Sequence, residues 1–159
     1  MIFKPLNFGK HKNETLPQIV FVDLDYFVGS YNKFIFKNKL FKIESDYIYH
    51  RIQNIKIPKE NYNDFEVEYY IQQPTGKFGG FKIVEKTTPL DEGSSLAFRS
   101  NVIDLTILKT INNYDKLGSL MMIGCLKNYY FGDKSYKMTK IKCEDFINND
   151  SNFLLELNQ

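Results

Sequence analysis

The chain has 159 residues, the length of one ordinary domain, and its 21 Lys plus Arg against 19 Asp plus Glu leave a net charge of +2. That balance excludes a strongly basic nucleic-acid coat protein and an acidic solvating tail, while 43% apolar and 16% aromatic residues suffice for a packed core. No apolar run approaches the roughly 18 residues of a membrane span, and Met1-Ile2-Phe3-Lys4-Pro5 opens no secretory signal, so the expectation is a cytoplasmic protein.

In chain order, Thr15-Leu16-Pro17-Gln18 is the first start signal: a capping hydroxyl three residues before Gln, with Pro in the first turn. It predicts a short helix to about Val22. Asp23 caps a second start, and Tyr26, Phe27, Tyr31, Phe34 and Ile35 recur at helical spacing to about Phe36. A third helix is expected from Leu40 to Ile55, closed by Pro58. From Glu66 to Gln72 the period changes to two, with Val67, Tyr69 and Ile71 alternating against Glu66, Glu68 and Tyr70. Pro74-Thr75-Gly76-Lys77 is turn chemistry. Phe78 to Glu85 then returns as the second strand of an antiparallel hairpin, with a bulge or close backbone approach at Gly79-Gly80. Pro89 to Ser95 reads as loop. Val102 to Leu108 reads as a third strand, Leu120 to Phe131 as strand passing into helix, and Met138 to Asn148 as helix. The tail Phe153-Leu154-Leu155 is expected to dock back.

These elements predict an α+β class, with N-terminal helices packed on a small, mainly antiparallel sheet and C-terminal helices following. No repeat or linker divides the chain, so residues 1–159 are expected to form a single domain, helical over 1–57 and sheet plus C-terminal helices over 58–159.

The first candidate site is Phe8-Gly9-Lys10-His11-Lys12, just ahead of a helix start. Gly supplies an unusual backbone angle, and Lys10, His11 and Lys12 are three side chains able to meet phosphate near free N–H groups. A tight turn with solvated lysines is the competing reading. Together with Thr15, Leu16, Ile19, Asp25, Tyr26 and Phe27, this stretch resembles the short FGKHKGxxLxxI…DYxxW module appended to exodeoxyribonuclease X-type nucleases. The module also occurs in small phage and bacterial proteins, some labelled quorum-sensing-regulated virulence factors. The resemblance covers about residues 6 to 36. Asn13 stands where the pattern has Gly, and Asn is the next residue best able to take a left-handed angle. Val28, Gly29 and Ser30 stand where the pattern has its Trp. The resemblance implies association with nucleic-acid-handling proteins in a phage or bacterial setting. It implies no catalysis, because the module lacks the nuclease's carboxylates.

Ile19 to Phe27, with Asp23 and Asp25, looks like the first metal-binding motif of Y-family DNA polymerases, where two carboxylates hold Mg²⁺. The later acidic motif is absent, and Pro17 with the Thr15–Gln18 box argues that the segment opens a helix. A Mg²⁺-dependent nuclease using Asp23 and Asp25 stays as a lesser alternative.

The third candidate is Lys127 to Lys142, which carries five Lys against Asp133 alone, a local charge of +4, interleaved with four aromatics. Lysines attract phosphate and exposed rings stack on bases, the composition of a single-strand binder. The residues singled out are Lys127, Tyr129, Tyr130, Lys134, Lys137 and Lys140. The bland alternative is a solvated helix face with core aromatics. With Lys outnumbering Arg 19 to 2, and many Asn, Ile, Phe and Tyr, the composition also carries an A/T-rich codon bias that weakens any argument from lysine number. Two arginines make bidentate guanine readout an unlikely mode. A combined site requires this patch and Lys10–Lys12 to share one face.

Gly93-Ser94-Ser95-Leu96-Ala97-Phe98-Arg99-Ser100 sets serines beside an Arg and suggests an anion pocket, with loop chemistry the default. Cys125 and Cys143 show no zinc spacing with His11 or His50 and are read as reduced thiols, so no metal or cofactor is expected. The sequence therefore supports a non-catalytic accessory protein whose partner is single-stranded nucleic acid or a nucleic-acid-processing protein, with no membrane role. A protein-interaction module or inhibitor is the alternative.

Overall fold

The computed structural model describes residues 1–33, 35–90, 93, 95–111 and 115–155. Thr15 opens α1 (Leu16–Val22) through the expected box: the Gln18 Oε1 accepts the Thr15 N–H at 2.9 Å. Asp23 ends α1 and caps α2 (Leu24–Asn32), its carboxylate accepting the Tyr26 N–H at 3.3 Å. The helix stops short of Phe36, and Phe34 lies outside the described residues. Helix α3 (Lys39–Ile52) ends three residues before Ile55, because Ile55 leaves to bridge both Ile103 and Phe153.

The sheet holds β1 (Phe65–Gln72), β2 (Lys77–Glu85) and β3 (Ser95–Ser100), antiparallel in the order β2-β1-β3. The hairpin register shifts where Tyr70 faces Gly80 and Ile71 faces Phe78, so Gly79 is the extra residue of a bulge. Gly80 there sits at φ +107°, and an added Cβ would lie 3.3 Å from the Cys125 Sγ. Glycine is thus required both by the backbone angle and by the close approach of the next helix.

The third strand lies earlier than the sequence suggests. Leu96, Phe98 and Ser100 alternate with Ala97 and Arg99, and Arg99 joins a strand because Glu68 of β1 stands directly opposite. Residues 102–108 are not a strand. The Asp104 carboxylate accepts the Thr106 N–H at 2.7 Å and turns the chain into the 3-10 helix Leu105–Thr110. The apolar run there records burial on all sides, of Ile103, Leu105 and Leu108, rather than a pleat.

Helix α4 (Lys116–Phe131) is helical throughout, capped by Asp115 through the Gly118 N–H at 3.1 Å and closed by Gly132 at φ +74°. It lies along β2. Helix α5 (Lys140–Asn148) packs on α1, which also contacts α2 and α3 and so forms the hub of the helical layer. The tail docks as expected: the Leu154 N–H donates to the Asn54 carbonyl at 2.8 Å. One hydrophobic core runs from Phe3 to Phe153 through helices and sheet. The class is α+β, as the sequence predicts. Among the described residues no helix is long and apolar enough to cross a membrane.

Candidate nucleic-acid interface

Residues 6–14 form a loop closed on itself, the Leu6 N–H donating to the Glu14 carbonyl (2.9 Å) and the Asn13 N–H to the Leu6 carbonyl (2.8 Å). Gly9 sits at φ +75°, with the Tyr26 hydroxyl 2.9 Å from where a Cβ would be. Asn13 adopts φ +74°, the left-handed angle expected of it. The loop delivers His11 inward. Its Nδ1 lies 2.5 Å from the Glu14 Oε2 and its Nε2 3.0 Å from the Asp23 Oδ2, with both His11 and Asp23 buried. Each ring nitrogen thus meets a carboxylate oxygen. The Lys10 Nζ reaches the same Asp23 Oδ2 at 2.5 Å. Burial pushes the Asp23 carboxyl up, but the Lys10, His11 and Tyr26 hydrogen bonds outweigh it and hold it below the usual carboxylate range. The Asp23 partner in turn holds the exposed Lys10 ammonium above its ordinary value.

Of the first candidate group, then, His11 is an internal clamp that ties the loop to the α1–α2 junction, Lys10 is paired, and Lys12 is exposed with no carboxylate partner among the described residues. Asp23 is already occupied by its three partners, and Asp25 lies in the first turn of α2. Ile19 to Val22 is helix, whereas the polymerase-like motif needs a strand there. Among the described residues no three His, Cys, Asp or Glu side chains gather as a metal cluster.

The second group divides in two. Tyr129 turns inward, its ring stacked on Phe81 at 5.7 Å and its hydroxyl accepting the Ile83 N–H at 3.0 Å. Tyr130 donates to the Lys56 carbonyl at 2.7 Å and packs edge-on to Phe146, and burial raises its phenol far above the ordinary value. Tyr136 is sandwiched between Phe131 (4.4 Å) and the Lys142 ammonium (4.2 Å). These rings hold α4 and α5 in place while staying partly exposed, and Tyr129 also lines the cleft where Lys82 and Lys134 meet. Lys134, Lys137 and Lys140 are exposed, as are Lys82 and Lys142, which the sequence did not single out. Lys127 is half-buried on α4, close enough to Asp133 to depress that carboxyl after its Ser135 hydrogen bonds. None of these six forms a salt bridge among the described residues, unlike Lys10, Lys42, Lys77, Arg51 and Arg99.

Lys134 and Lys82 meet at a cleft of about 250 Å³ between the β2 bulge and α4, shared with Asn128, Cys125 and Gly79-Gly80. The signal for Lys82 in the sequence is its place in the two-residue period of β2, on the outward face opposite Glu68. Arg99 does not face an anion pocket: Glu68 (2.6 Å), Glu66 (3.6 Å) and the Pro89 carbonyl (3.1 Å) hold it, and Ser94 lies outside the described residues.

The two lysine groups sit at opposite ends of α4. Lys116, beside Lys10, marks its start, and Lys127 lies eleven residues on, about 16 Å along the axis and turned by only about 20°.

Neither a family model, nor a curated protein, nor a solved structure matches this chain.

Proposed function

We propose that this is a non-catalytic binding protein for the phosphate backbone of single-stranded nucleic acid, acting as an accessory in nucleic-acid handling. The observation that carries the reading is the set of lysines with no salt bridge among the described residues, Lys82, Lys134, Lys137, Lys140 and Lys142, around the α4–α5 loop and the β2 bulge. Lys12, Lys37, Lys59 and Lys86, among others, are also exposed without a salt bridge among the described residues, so what marks this surface is the meeting of Lys82 and Lys134 at one cleft with Lys137, Lys140 and Lys142 following in the chain. With the neighbouring tyrosines each engaged in a packing contact or an internal hydrogen bond, recognition rests mainly on charge, which favours sequence-independent binding. The resemblance of residues 6–36 to the exodeoxyribonuclease X-type module supports the same setting, phage or bacterial and cytoplasmic, with a nucleic-acid-processing protein as partner.

The test is fluorescence anisotropy with labelled single-stranded DNA, single-stranded RNA and duplex DNA, with and without Mg²⁺ and with the products run on a gel. Five phosphate contacts on a single strand imply an affinity that falls about 100-fold between about 50 and 200 mM salt. Binding of that salt dependence with the nucleic acid left intact is the expected result. No binding at low salt would remove the reading, and Mg²⁺-dependent cleavage would restore the nuclease alternative.

One observation favours a protein partner instead. Leu117, Leu120 and Met121 of α4 and Val22 of α1 are exposed, an apolar face on a helix that elsewhere is core. Retention of full nucleic-acid binding after charging this face would separate the two surfaces.

A further inference from the structure

The two edges of the sheet are treated differently. On β2, the outward N–H of Ile83 is taken by the Tyr129 hydroxyl, and α4 covers the strand. This bond also fixes the ladder. Because the Ile83 N–H points away from β1, the Val67–Ile83 pair is the non-hydrogen-bonded kind, and Val67, Tyr69 and Ile71 turn their amides toward β3. Ser100, Phe98 and Leu96 therefore pair with β1, and the N–H and C=O groups of Ser95, Ala97 and Arg99 point outward. Among the described residues no hydrogen bond reaches them. The edge also lacks the usual guards. It has no Pro and no Lys, and its one charge, Arg99, is drawn back onto Glu68 and Glu66.

We propose that β3 pairs antiparallel with β3 of a second copy of this chain, joining two three-stranded sheets across a two-fold axis at Ala97. The strand is self-complementary in this register. Ala97 meets the partner's Ala97, small enough for close approach, and Ser95 meets the partner's Arg99, so no like charges oppose. Leu96, 62% exposed on the core-side face, falls opposite the partner's Phe98 in a close non-hydrogen-bonded pair and is covered by it. Other two-fold registers are poorer. An axis at Arg99 sets guanidinium against guanidinium, and axes at Leu96 or Phe98 leave two outward pairs among Ser95–Arg99 instead of three. This pairing is independent of the lysine surface.

The test combines sedimentation velocity over a wide concentration range with cross-linking. At the axis, Ala97→Cys places two thiols on a hydrogen-bonded pair with Cα atoms about 5.5 Å apart, within disulfide reach. In a Cys125→Ser background it should give a covalent dimer on mild oxidation, and a Glu60→Cys control should not. Ala97→Pro removes only an outward N–H, and Leu96→Lys opposes apolar Phe98 with a charge. Both should remain folded by circular dichroism and weaken the dimer at least tenfold. A wild-type chain that stays monomeric throughout would overturn the proposal, as would a dimer unaffected by either variant or equal cross-linking at Glu60→Cys.

Discussion

The Tyr129 hydroxyl accepts the outward N–H of Ile83 at 3.0 Å, so a ring from the basic segment closes one edge of the sheet. Tyr129→Phe keeps the stack on Phe81 and leaves that N–H without its acceptor, which costs about 1–3 kcal/mol. Urea denaturation should show that loss as a lower midpoint at unchanged slope. Nucleic-acid affinity should stay at the wild-type level, because the half-buried ring and its stack on Phe81 are retained. A tenfold loss of affinity in a fully folded variant would mean that Tyr129 contacts the ligand.

Asp23 caps α2 and holds both His11 and Lys10. Its carboxyl is depressed in the fold, so its stabilisation is complete above the ordinary carboxylate value of 3.8 and is lost as pH falls through the lower folded value. Asp23→Ala removes the cap and leaves Lys10 and the His11 Nε2 without their shared carboxylate, costing roughly 1–3 kcal/mol at neutral pH. Thermal melts between about pH 2 and pH 7 should show the variant closing on wild type at the acid end. A constant gap down to the lowest pH would contradict the ion-pair role.

Glu44 carries the opposite sign. Burial pushes its carboxyl above the ordinary 4.5, and nearby Glu144 adds to the push, against the Lys4 N–H and charge. The Glu44 Oε2 and Glu144 Oε1 are both buried without a hydrogen-bond partner among the described residues. A raised carboxyl favours folding below its unfolded value and loses that advantage as pH rises through the folded value. Glu44→Gln removes the buried charge and supplies an N–H donor, so it should stabilise the protein by about 1 kcal/mol at neutral pH and little in acid. Equal or lower stability at pH 7 would show that the charged form is the one the fold accommodates.

Local chemistry was legible in the sequence. The Thr15–Gln18 box, the Asp23 cap, the bulge at Gly79-Gly80 and the left-handed Asn13 each depend on residues adjacent in the chain. Long-range partners were not. Ser95–Ser100 reads as loop until Glu68, some thirty residues earlier, stands opposite Arg99. The apolar run at 102–108 reads as strand until Asp104 turns it. For the candidate interface, the lysines at 134, 137 and 140 stand exposed, as their composition suggests, whereas His11, Tyr129 and Tyr130 are drawn inward by Asp23, Ile83 and Lys56. A sequence carries the residue type but not the distant atom that claims it.

The most direct test of the binding surface compares two charge-swapped variants of equal net charge by salt-dependent anisotropy on labelled single-stranded DNA. One carries Lys134→Glu and Lys137→Glu on the α4–α5 loop with Lys140→Glu at the start of α5, and the other carries Lys37→Glu, Lys59→Glu and Lys86→Glu elsewhere. The account predicts that the first loses binding by about 100-fold or more at about 50 mM salt with a flatter salt slope, while the second stays within about threefold of wild type. Equal losses in both variants, or none in the first, would contradict a localised nucleic-acid surface.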